Sequence, residues 1–151
     1  MWASTAFEKK GRTVLGQCEQ VMLRAGGWQK VRLEQQFRDW FGRVPKFLIT
    51  IAADYSAECS DTDFACLVEH ELYHIAQAVD IDGELKFNDE GMPVLTMRGH
   101  DVSEFIDIVD RYGVGNSDSD LSKLVEAAKT KPKVSQSSIA RACGTCILRV
   151  A

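Results

Sequence analysis

His70-Glu71-Leu72-Tyr73-His74 is the stretch on which the reading of this chain turns. It fits the H-E-x-x-H pattern, in which two histidines on a helix hold one zinc ion and the glutamate after the first serves as general base. The spacing has a physical cause. At about 3.6 residues per turn, positions i and i+4 share a helix face, so both imidazoles can reach a single ion. With three histidines and ten glutamates among 151 residues, chance seldom produces such a match. Val68, Leu72, Tyr73 and Ile75-Ala76 supply uncharged surroundings, as expected of a helix buried along its back.

Ser60-Asp61-Thr62-Asp63 opens the motif helix: Ser60 can cap it, and the acids suit its positive N-terminus. The helix is expected to run to about Val79 and to end at Asp80-Ile81-Asp82-Gly83. Before it, Lys46 to Ala53 is a short β-branched, apolar run that reads as a strand. Val14, Leu15, Cys18, Val21 and Met22 recur at helical spacing and predict a first helix, with a second over Trp28 to Phe41 stopped by Gly42. After the motif, Asp89-Glu90-Gly91 predicts a hairpin between Glu84–Asn88 and Pro93–Arg98. Two amphipathic helices follow, Asp101 to Tyr112 with Gly113 as its stop, and one marked by Leu121, Leu124, Val125 and Ala128. The fold class expected is α+β. One domain spans residues 1–130, its motif helix packed on a short strand and hairpin sheet with additional helices; residues 131–151 form a loose C-terminal segment.

The composition, 45% hydrophobic and 26% charged, is that of a globular domain, and no apolar run is long enough to cross a bilayer. Met1 to Lys10 lacks a signal-peptide apolar core, so the cytoplasm is the expected location. A net charge of −4 and a pI near 5.4 give no electrostatic case for nucleic-acid binding.

A hydrolytic zinc site takes three protein ligands and leaves one position for water, so the identity of the third ligand sorts the alternatives. His100 is the first choice, because it stands at an expected strand-to-helix junction that can fold back over the motif helix. Glu104, four residues on, is the second. Asp80 is the third, at the position of the last ligand in the longer H-E-x-x-H-x-x-G-x-x-H/D pattern, but Gln77 replaces the glycine that would turn the chain. Asp101 is either a partner for a ligand's free ring N–H or a helix cap.

Five cysteines, an odd number without a secretory signal, read as thiols. Cys143-Gly144-Thr145-Cys146 is a C-x-x-C with no second pair to complete a structural zinc site. It reads as ordinary thiols, or as a knuckle completed by Cys18 or by another subunit; a redox role is the weakest reading. Cys66, one turn before His70, reads as a small packed residue.

Phe47-Leu48-Ile49-Thr50-Ile51, Ala65 to His74, Arg98-Gly99-His100-Asp101-Val102-Ser103-Glu104-Phe105 and Arg111-Tyr112-Gly113, in that order, resemble a phage metallopeptidase domain family found in bacteriophage and prophage genomes. The resemblance implies a small zincin-like fold and metal ligands at His70, His74 and His100. It also implies Glu71 as catalytic acid/base, Zn2+ as cofactor, and a protein or peptide substrate. Arg111 and Tyr112 are candidates for oxyanion stabilisation by side-chain type, with Tyr73 less suited. The alternative is a phage-encoded, zinc-containing binding or inhibitor protein that uses the same fold as an interaction surface.

Overall fold

The computed structural model describes residues 1–102, 105–134 and 143. The architecture is α+β. Its central sheet has the order β1-β5-β4, where β1 is Trp2–Ala3, β4 Gly16–Gln20 and β5 Phe47–Ala52. β5 pairs in parallel with β1 and antiparallel with β4, in a register that sets Gly16 opposite Ile51 and Cys18 opposite Ile49. A hairpin of β2 (Phe7–Lys9) and β3 (Arg12–Val14) precedes β4. Lys10 and Gly11 form its two-residue loop, both with positive φ, the conformation that matches strand twist in a tight hairpin.

The helix expected from Val14 to Met22 is therefore β3 and β4. The inward positions are Val14, Gly16 and Cys18, a period of two. The alternation is hidden in the sequence because its middle member is a glycine. Gly16 is required by close approach: a Cβ there would lie 2.9 Å from both Glu71 Oε1 and Leu67 Cδ1.

α1 (Gly27–Phe41) matches the second expected helix and stops at Gly42 in the left-handed region. β5 matches the expected strand, and a short α2 (Ala53–Glu58) leads into the motif helix α3 (Asp61–Tyr73). Ser60 caps α3 by accepting from the Asp63 N–H at 3.1 Å. The buried face of α3 is Leu67 and Glu71, packed against β4 at Gly16, while Leu72 and Tyr73 are exposed rather than buried.

α3 ends at His74, not at Val79. The Arg98 N–H takes the His74 carbonyl at 2.8 Å, and Ile75–Gln77 forms β6, antiparallel to β7 (Leu95–Met97). Cross-strand pairing here overrides the helical preference of Ala76, Gln77 and Ala78. The expected hairpin around Asp89-Glu90-Gly91 is present as the Phe87–Pro93 bridge, with Asn88 Oδ1 accepting from the Glu90 and Met92 N–H groups. The Val79–Leu85 bridge extends it toward β6.

α4 (Ile106–Tyr112) starts later than expected and stops at Gly113. α5 (Asp120–Lys129) is capped by Ser119. None of the described helices is long and apolar enough to cross a membrane. The core joins the inner faces of the sheet and α3: Val14, Cys18, Leu48, Ile51, Ala52 and Leu67 are buried, and so is Cys143.

Candidate metal centre

The end of α3 carries His70 and His74, and the stretch after β7 carries His100. The three rings meet: their centroids are 4.9 Å apart for His70–His100 and 5.1 Å for both pairs that include His74. His70 Nε2 and His100 Nε2 lie 3.1 Å apart. A fourth donor completes the group, for Cys143 Sγ lies 3.1 Å from His74 Nε2. Ligand atoms of His70, His74, His100 and Cys143 all fall within 4.8 Å of one another, so the cluster could hold a metal ion.

The donor chemistry fits a tetrahedral ion. Bonds of about 2.0–2.1 Å to nitrogen and 2.3 Å to sulfur set ligand atoms roughly 3.3–3.6 Å apart. The observed separations of 3.1 Å and up to 4.8 Å bracket that range. His74 is oriented for ligation: its Nδ1 lies 2.8 Å from the Arg98 carbonyl, and donation there leaves the Nε2 lone pair facing the cluster. Burial and the neighbouring imidazoles hold His70 below its ordinary pKa. Burial and His74 lower that of His100, against an opposing pull from Asp101. Both shifts favour the neutral imidazole, the form that binds a metal.

The other sequence candidates separate from this group. Asp80 is exposed, and its Oδ1 accepts from the Asp82 and Glu84 N–H groups, so it shapes a turn after β6. Glu104 and Cys146 lie outside the described residues. Asp101 forms an ion pair with Arg98, and Phe105 rather than Asp101 stands at the N-cap of α4. Cys18 is buried beside Glu71. Burial first, then the Glu71 and Glu19 charges, push its pKa to about 11, so it stays a protonated thiol outside the cluster. Cys66 is half-buried on α3 and is not a member either.

Cys143 was expected in a segment apart from the domain, and the structure brings it into the cluster. The signal was present in the C-x-x-C, but nothing in its spacing linked it to residues about 70 positions earlier.

Glu71 has no exposed surface. It adjoins His70 in sequence and lies against Gly16 of β4. The cluster opens onto a cleft of about 850 Å³ whose wall includes Tyr73, Arg98, Asp120, Lys123 and Leu124. Arg98 is paired with Asp101 and Lys123 with Asp120 through largely exposed side chains, so the wall carries charges of both signs. Arg111 and Tyr112 do not line this cleft, because α4 carries them elsewhere; Tyr73 does.

A family model described as "Putative phage metallopeptidase" matches residues 1–129. No curated protein and no solved structure matches the chain.

Proposed function

The chain belongs to the phage metallopeptidase family, and on that premise we propose that it is a zinc-dependent peptidase with Glu71 as general base. The observation that carries the reading is the meeting of His70, His74 and His100, distant in sequence, around one point beside a cleft. Zinc is the ion of choice because three neutral imidazoles suit it and leave a fourth, tetrahedral position for water. The same reading takes residues 1–130 as the catalytic domain, to which the C-terminal segment adds Cys143.

Bound at this cluster, zinc would act as a Lewis acid that acidifies a water and polarises the peptide carbonyl. His70, His74 and His100 would hold it through ring nitrogens, and the Arg98 carbonyl keeps the His74 ring in place. The Glu71 carboxylate takes a proton from the attacking water as the water oxygen bonds to the peptide carbon. It returns that proton to the departing nitrogen as the C–N bond breaks. An extended peptide along the cleft would pass Tyr73 and the paired charges of Arg98 and Lys123.

One observation favours a second reading. Three imidazoles and a thiol make a complete donor set, which is the mark of a structural zinc site. In that case the protein is a zinc-containing binding protein and Glu71 is a buried packing residue.

Metal removal tests the first reading. Cleavage of a broad peptide library by the purified chain, or by its Cys143→Ser form, should stop on dialysis against a chelator and return on addition of zinc. Cleavage that survives complete zinc removal would overturn it.

A further inference from the structure

We propose that Cys143 is the fourth ligand of the metal site and closes the position that an attacking water needs. This rests on the metal-site reading above. Two independent features place the thiol there. Its Sγ lies 3.1 Å from His74 Nε2 within the four-residue cluster, and both side chains are buried. Its backbone forms a parallel bridge with Gly16.

That bridge fixes more than the thiol. Gly16 pairs with Ile51 on its other side and belongs to β4, an edge strand of the β1-β5-β4 sheet. Such an edge can take up an extended chain through main-chain hydrogen bonds. Gly16 is also the residue whose Cα faces the Glu71 carboxylate, where a Cβ would meet Oε1 at 2.9 Å. Cys143 therefore occupies the sheet edge beside the proposed base and a donor position at once. In this arrangement Glu71 is fully buried, whereas a general base must be reached by water.

A hydrolytic zinc site keeps one position open, and three histidines plus a thiolate fill all four. Cys143 lies beyond the residues matched by the family model, so the closing ligand comes from outside the matched region. In the described conformation the Cys143 thiol stands at the fourth donor position while the Cys143 backbone pairs with Gly16 on the β4 edge.

Cobalt substitution of the full-length chain tests the proposal without any assay of hydrolysis. The wild-type cobalt form should show a thiolate-to-cobalt charge-transfer band. Cys143→Ser should lose that band and retain the visible absorption of a histidine-bound ion. Acetohydroxamate, a small chelator that needs an open coordination position, should shift the visible spectrum of Cys143→Ser and leave that of the wild type unchanged. A wild-type spectrum without the thiolate band overturns the proposal, as does a band that persists in Cys143→Ser. Equal response of both proteins to acetohydroxamate also overturns it. If the serine variant does not fold, Cys143→Ala takes its place, and the wild-type band decides by itself. Cobalt uptake without the band removes only the role of Cys143, whereas no uptake by either protein removes the metal-site reading as well.

Discussion

Glu71→Gln is expected to lower peptide hydrolysis by roughly 10²–10⁴-fold while the chain keeps its metal, the range typical of a lost general acid–base. The amide has nearly the shape of the carboxylate, so the packing of Glu71 against Gly16 and β4 is preserved. What disappears is the proton acceptor. The three histidines are untouched, and zinc content should match that of the wild type. The comparison belongs in both the wild-type and the Cys143→Ser backgrounds, because a closed site lowers the rate of either form. No hydrolysis by the parent in either background, with zinc retained, would favour the binding-protein reading; undiminished hydrolysis by Glu71→Gln would remove Glu71 as the base.

His100→Ala is expected to release the metal, with affinity falling by about ten- to a hundred-fold or more; losses of that size already follow removal of a ligand's hydrogen-bond partner. His100 Nε2 lies 3.1 Å from His70 Nε2, so its removal leaves one side of the cluster without a donor. Asp80→Ala should leave metal content unchanged, because Asp80 Oδ1 serves the backbone of the turn at Asp82 and Glu84. The two variants, titrated with zinc against a competing chelator, discriminate directly. Metal loss in Asp80→Ala with retention in His100→Ala would reverse the assignment.

The motif was legible because its periodicity is local: four residues along one helix bring two imidazoles together. The strand at Phe47–Ala52, the Ser60 cap and the stop at Gly42 were legible for the same reason, each being set by neighbouring residues. Two features were decided by contacts distant in sequence. The stretch from Val14 to Cys18 reads as helix until one sees that Gly16 is the inward position, kept bare by Glu71 and Leu67 some fifty residues away. The motif helix stops at His74 because Arg98 captures its carbonyl, and the intervening sequence contains no breaker that foretells this. Cys143 is the sharpest case. Its place beside His74 depends on a bridge to Gly16, and no spacing rule connects the two.

Metal content decides whether this cluster is a zinc site. Native mass spectrometry of the full chain, purified without added metal or chelator, should show about one zinc per molecule, bound by the donors of a single tetrahedral site. A metal-free chain that takes up no zinc on titration would show that the cluster is not a zinc site.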